Sequence, residues 1–290
     1  MIRIIVLLFF FIFFQQLFSQ ENFELLNYEN FKARQIDSLV WMNKFPWGRT
    51  VLGLGKEYYT DGKNFIFRDS MLTINLRRAN IKVLVDSSKA ASQIMDDGKP
   101  NLRLFQYTSG MLCSKEKFLY GKFEMKCRLT KGRGTWPAFW LWGGDEIDIF
   151  EKPWKFHRSI TTNYHYDSAG IKKQDFRFHH FPGRNAFSKK FHVFTLEWFP
   201  DSICWYIDNQ LIRKQYHGNN KSMYLIVSLG AAKDKFWGHA PQRRRWNTSM
   251  EINYIKIWRL KMHLTSLSAE PEISPIPSRQ NATPGGGEKK

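Results

Sequence analysis

Beyond residue 20 the chain alternates between apolar and polar positions. In "MLTINLRR" (71–78), Leu72, Ile74 and Leu76 take one parity, and Thr73, Asn75 and Arg77 take the other. A period of two places such sets on opposite faces of a strand. "KFEMKCR" (122–128) alternates as cleanly, and "HVFTLEW" (192–198) sets Phe194, Leu196 and Trp198 on one face. "SICWYIDNQLIRKQY" (202–216) reads as two strands joined at Asp208-Asn209-Gln210. "YLIVSLG" (224–230) is a continuous run that fits a strand buried on both faces, and "MEINYIKIWRL" (250–260) reads as a last strand. Helical periodicity is scarce, and "SSKAASQIMDD" (87–97) reads as a short helix or a loop. No internal repeat is visible. Many strands between turn signals, with few helices, predict an all-β antiparallel sandwich.

The two ends differ from this pattern. Arg3, the unbroken apolar run 4–14 and small Ser19 before Gln20 make a secretory signal, cleaved after Ser19. The run is shorter than the ~20 residues of a spanning helix. An uncleaved anchor is the alternative. After about Lys261, "SLSAEPEISPIPSRQNATPGGGEKK" has little to bury and reads as a disordered tail over 263–290. The domain proper is thus 20–262, and the protein is expected outside the cytoplasm: secreted, periplasmic or on the cell surface.

Composition adds two facts. Aromatic residues are 16% of the chain, an excess that suits a core or the apolar face of a sugar. The formal net charge is +18, and removing 1–19 takes away one Arg and leaves +17. Such charge suits nucleic acid or an acidic polymer. No nucleic-acid motif accompanies it, so no nucleic-acid partner is assigned. Cys113, Cys127 and Cys204 show no CxxC and no paired His, which argues against zinc and leaves one disulfide open. Cys127 alternates with Phe123 and Met125 and reads as a small buried hydrophobe.

Against this basic background, "GGDEIDIFEKPW" (143–154) places Asp145, Glu146, Asp148 and Glu151 within seven positions. Like charges this close raise one another's pKa and cost folding free energy. In a regular strand Glu146 and Asp148 would share a face with Phe150, and Glu151 would point away. One extra residue near Ile149–Phe150, a β-bulge, resets the parity. Glu146, Asp148 and Glu151 then face one way and Ile147 faces the core. The outer two Cα atoms would lie roughly 13 Å apart at ~3.3 Å per step. Side chains leaning inward close that to about 5–5.5 Å, the separation of a retaining glycosidase. One carboxylate attacks the anomeric carbon, and the other, protonated, serves the leaving oxygen. A solvated acidic strand edge is the bland alternative.

"EIDIFE" resembles the bulged E-x-D-x-x-E signature of glycoside hydrolase family 16, in its laminarinase, agarase and carrageenase branch. The resemblance extends through "YTSGMLCSKEKFLYGKFEMKCRLTKGRGTWPAFWLW" (107–142), "FHVFTLEWFPDSICWYID" (191–208), "MYLIVSLG" (223–230) and "MEINYIKIW" (250–258). It implies a β-jelly roll of two curved antiparallel sheets with a concave substrate cleft. It also implies Glu146 as nucleophile, Asp148 as its assistant and Glu151 as acid/base. The chain departs from the pattern in the short Gly143-Gly144-Asp145 loop and in "KPWKFHR" after Glu151, both at the cleft wall.

The supporting residues follow. In "RSITTNYHYD" (158–167), Thr161, Asn163 and His165 share a face, and family members resemble this with a His in that strand. Trp136, Trp140 and Trp142 share one parity. Two are expected to stack with core residues and one to line the cleft, with Trp136 and Trp142 as the candidates. Trp237 on a loop, Arg49 in "PWGR" and Arg158 are further candidate contacts, as are Lys152, Lys155 and the run 243–245 for an acidic polymer. Asn247-Thr248-Ser249 matches a glycosylation sequon. No cofactor is required and no metal ligand set is read. Structural calcium can occur in such folds, but no acid-rich loop here identifies a site.

The reading is therefore an endo-acting retaining hydrolase of a β-linked polysaccharide, most simply a β-1,3-glucan, working as a monomer. The alternatives are hydrolysis of a sulfated galactan of the carrageenan, porphyran or agar type, or glycan binding without catalysis.

Overall fold

The computed structural model describes residues 22–50, 56–85, 101–153, 156–182, 186–232, 238 and 246–261. The signal segment, the stretch 87–97, Lys155, Trp237, the run 243–245 and the tail 263–290 lie outside the described residues.

Eighteen strands follow one another without a helix among the described residues. They are β1 Phe23–Glu29, β2 Trp41–Met42, β3 Glu57–Tyr59, β4 Phe65–Arg68, β5 Met71–Val85 and β6 Asn101–Ser109. Then come β7 Met111–Phe118, β8 Gly121–Arg128, β9 Thr135–Trp142, β10 Glu146–Glu151, β11 Ser159–Ser168 and β12 Ile171–Gln174. The last are β13 Arg177–His180, β14 His192–Trp198, β15 Ser202–Ile207, β16 Gln210–Tyr216, β17 Met223–Ala231 and β18 Asn247–Leu260. Among the described residues no helix is long and apolar enough to cross a membrane.

The strands form two sheets. The first runs β16-β15-β14-β8-β18-β5-β6-β3, with β1 on β18 and β4 on β5. The second runs β12-β11-β10-β9-β17-β7-β2, with β13 on β11. All pairs are antiparallel except β3 with β6. The alternating segments supply the packing. On β8, Phe123, Met125 and Cys127 are buried, and the residues between them are partly exposed. The apolar faces of both sheets merge in one core, where Phe150 of β10 meets Phe194 of β14 at 4.2 Å between ring centres. β17 is buried along almost its whole length, as its continuous run predicts. Asp208 and Asn209 take φ of 49° and 65° between β15 and β16. This left-handed pair is the type I′ turn whose twist suits a two-residue hairpin.

One open point is settled and two details differ from expectation. All three cysteines are free and buried, so the disulfide left open is not formed. β18 begins at Asn247 rather than near Met250, so the sequon lies within the strand and Asn247 pairs with Arg77. Lys152 is not on the surface: it is 0% exposed, because the residue after outward-facing Glu151 turns inward.

Candidate active site

β10 is the strand the site is built on. Against β9, Asp148 pairs with Trp140 and Phe150 pairs with Phe139, so Ile149 is the extra residue. Against β11, Asp148 pairs with Asn163 and Glu151 with Thr161, which spreads three steps of β10 over two of its neighbour. Ile147, Ile149 and Phe150 are all buried in the intersheet core. Glu146, Asp148 and Glu151 share the other face. The bulge itself is held from across the core, where Trp205 Nε1–H of β15 donates to the Asp148 carbonyl at 2.9 Å. A Trp205→Phe substitution keeps an aromatic ring but removes the N–H donor and the five-membered ring of the indole. It is expected to cost about 1–3 kcal/mol in denaturant unfolding and to lower activity by loosening the acids.

Antiparallel partners share a face, so the registers give the floor of the site directly. One row reads His165–Glu146–Trp142–Tyr224, the next Asn163–Asp148–Trp140–Ile226, and the third Thr161–Glu151–Ala138–Ser228. Small Ala138 beside Glu151 leaves room above the acid. Trp136 lies one further step along β9 and donates its Nε1–H to Glu151 Oε1. Trp140 Nε1–H donates to Ser228 Oγ at 3.3 Å. Trp142 meets Trp47 with ring centres 4.4 Å apart, and Trp47 stacks on Phe45 at 4.7 Å and 4°. All three tryptophans of β9 therefore stand on the catalytic face. None enters the intersheet core, contrary to the expected division of two and one. Trp140 and Trp142 pack instead against a second cluster of Phe45, Tyr59, Met111, Cys113 and Ile226 on that outer face.

His165 Nε2 stands 3.4 Å from Glu146 Oε1 and 3.4 Å from Asp148 Oδ2. Asn163 Oδ1 accepts the Tyr164 N–H at 3.0 Å, which turns its amide nitrogen to His165 Nε2 at 2.8 Å. The imidazole Nε2 is then an acceptor. Asp148 is 3% exposed. Burial raises its pKa, and the Arg213 guanidinium behind the sheet pulls partly the other way. Burial also raises Glu146, helped by the charges of Asp148 and Glu151 and opposed by His165. The two carboxyls thus hold a proton between them above the ordinary carboxylate range.

Asp145 closes the entrance to β10. Its carboxylate accepts from Lys221 Nζ at 2.9 Å and from the Tyr164 hydroxyl at 3.4 Å. The short loop before it demands glycine, since a Cβ on Gly143 would lie 2.2 Å from the Ser222 carbonyl oxygen.

Two candidate contacts are engaged elsewhere. Arg49 donates to the carbonyls of Asn43 and Tyr59 and pairs with Asp61 at 3.2 Å. Arg158 donates to the Pro182 carbonyl at 2.6 Å. The reading of the sequence missed Trp47, although it quoted "PWGR" for the neighbouring Arg49. It also missed Trp205 and Lys221, which reach the site from strands and loops distant in sequence.

A jelly-roll face carrying two glutamates about an aspartate, with an indole wall beside them, is the framework of a glycoside hydrolase. Residues 78–256 match the sequence profile of Glycosyl hydrolases family 16, and the chain belongs to that family. It is 26% identical over 261 residues to glucan endo-1,3-beta-glucosidase A1 of Niallia circulans, covering 80% of this chain and 35% of that one. It is 31% identical over 182 residues to glucan endo-1,3-beta-glucosidase of Cryptopygus antarcticus, covering 53% of this chain and 67% of that one. The chain spans about a third of the length of the first of these relatives and two thirds of the second. In structure it is similar to the catalytic domain of an endo-1,3-beta-glucanase (laminarinase) from Thermotoga petrophila, with TM-score 0.66 and 24% identity over 83% of this chain and 99% of that one. The kappa-carrageenase of Pseudoalteromonas carrageenovora shares the fold with TM-score 0.65 and 18% identity over 82% of this chain and 95% of that one.

Proposed function

We propose that the protein is an endo-acting retaining hydrolase of a neutral β-1,3-linked glucan. The observation that carries this reading is the bulge at Ile149, which brings Glu146, Asp148 and Glu151 onto one face. Glu146 attacks the anomeric carbon while Glu151 gives its proton to the departing oxygen. Glu151, now a base, takes a proton from water, and that water releases the sugar from Glu146. Trp136 Nε1–H donates to Glu151 Oε1 and so helps to hold the carboxyl in place. When the shared proton sits on Asp148, Glu146 is free to ionise, and Asp148 donates a hydrogen bond to it.

Among the described residues, the cleft face suits a neutral polymer better than a sulfated one. Trp47, Trp140 and Trp142 offer flat apolar surfaces for sugar rings. Lys152 is buried, Arg49 and Arg158 are engaged with backbone carbonyls, and Lys221 is paired with Asp145. The glucan endo-1,3-beta-glucosidases among the relatives support the same choice. The apolar run 4–14 supports action outside the cytoplasm. Glycan binding without catalysis is disfavoured by the complete acid set.

Reducing-end release from laminarin-type glucan, beside carrageenan- and porphyran-type galactans at low and high salt, tests the reading. Cleavage of the neutral glucan with little salt dependence is expected. Faster cleavage of a sulfated galactan, suppressed by salt, would replace the substrate class proposed here.

A further inference from the structure

We propose that Glu146, Asp148 and His165 form a binding site for one divalent transition-metal ion of the zinc–copper type, and that the bound ion blocks the reaction. The blocking rests on the proposed function; the binding does not.

The geometry comes first. One ligand atom from each of the three residues lies within 4.8 Å of the others, and this is the group of that kind among the described residues. His165 Nε2 is 3.4 Å from a Glu146 oxygen and 3.4 Å from an Asp148 oxygen. Two donors each bound at about 2.0–2.1 Å to a tetrahedral ion stand about 3.4 Å apart. The protein thus already holds two ligand–ligand edges of such a site without any rearrangement of its strands.

The second observation is the burial of one of the two carboxyls. The Asp148 side chain is 5% exposed, and its oxygen aims at the same point as that of Glu146. Asn163 directs its amide at His165 Nε2 at 2.8 Å, so the single Nε2 lone pair is engaged there and becomes a metal donor once that amide lets go. Two carboxylate oxygens, each 3.4 Å from that nitrogen, and the imidazole released from Asn163 are then within reach of a single ion. A proton satisfies this arrangement, and so does a metal ion, with which protons compete. On metal binding, Nε2 gives up the Asn163 amide, which keeps its contact to Gln174 Oε1 at 3.3 Å.

The donor set chooses the ion. One imidazole and two carboxylates suit zinc, copper or nickel, whereas calcium and magnesium take all-oxygen shells. His165 is 40% exposed and Glu146 32% exposed at the side chain, which gives an entry path and leaves a coordination position for water. An ion there would neutralise Glu146 as a nucleophile and occupy the place of the anomeric carbon.

Calorimetric titration of zinc and copper chlorides into untagged Glu151→Gln protein reads binding without turnover. One ion per chain is expected, tighter for copper than for zinc, with no binding of calcium or magnesium. His165→Ala and the bulkier His165→Gln should each weaken it by at least about 10-fold. Unchanged stoichiometry and affinity in both variants would place the ion elsewhere and overturn the site, as would the absence of binding to the parent. In the wild-type enzyme, inhibition by the same ions and its reversal by a chelator are expected. Binding without inhibition would overturn the blocking alone. A chain that binds the ion yet cleaves no glycan would overturn the proposed function and leave the metal site standing.

Discussion

Glu146→Gln and Glu151→Gln are each expected to lose at least about 10³-fold in kcat while keeping the wild-type unfolding midpoint. Both side chains are partly solvated at the face of the sheet, so the neutral isostere removes chemistry rather than packing. For Glu151 the loss is that of general acid–base catalysis, worth about 10²–10⁴-fold. For Glu146 it is the loss of the covalent intermediate itself. Removing the nearby charge should also ease the burden on Asp148, so neither variant should be less stable than the parent. The two roles separate with azide added to the corresponding alanine variants. Azide replacing a missing nucleophile attacks the sugar directly and inverts the anomeric centre. Azide entering after Glu146 has formed its ester gives the retained anomer. Activity within tenfold of wild type in either variant would reassign the site, and a retained azide product from Glu146→Ala would exchange the two roles.

The second large effect concerns stability. Lys152 is fully buried and its ammonium has no hydrogen-bond partner. Burial pushes its pKa down from 10.5 to about 8. In the unfolded chain the amine keeps its proton until its ordinary value. Between about 8 and 10.5 the unfolded state therefore binds more protons than the folded one, and this group's contribution to stability rises with pH across that window. Below about 8 the buried charge is a constant penalty. Lys152→Met preserves the length of the stem and removes the charge. It is expected to stabilise the protein by a few kcal/mol at pH 7, to gain less near pH 10, and to leave kcat within about twofold. Denaturant unfolding at both pH values measures it. A loss of stability at pH 7 would mean that the ammonium is satisfied in the folded protein.

That lysine also shows what a sequence can and cannot tell. Parity alone turns Lys152 inward once Glu151 faces out, yet its charge argues for the surface, and the alternation wins. The acids were legible for the same reason. "EIDIFE" cannot present three carboxylates on one face without an extra residue, and the register shows that residue at Ile149. The tryptophans of β9 were legible only by half. Their spacing shows that Trp136, Trp140 and Trp142 share a face, but periodicity does not say which face the opposite sheet covers. The partners that complete the site were least legible. Trp47 arrives on a loop without periodicity, and Trp205 reaches the bulge from the other sheet. Contacts of that kind depend on how the two sheets stack, which no local pattern records.

The extra residue at Ile149 has a consequence at the level of the gene. Across most of a strand, gain or loss of a single codon turns every side chain beyond it to the wrong face. Between Glu146 and Asp148 the rule holds: dropping codon 147 would set those two acids on opposite sides. Dropping codon 149 or codon 150 does something different. It leaves the three acids at every second position, which a regular strand presents together, and removes one apolar side chain from the core. The reading frame of this active site thus has a short stretch where lineages can lengthen or shorten the catalytic strand by one amino acid and keep the same three carboxylates in line.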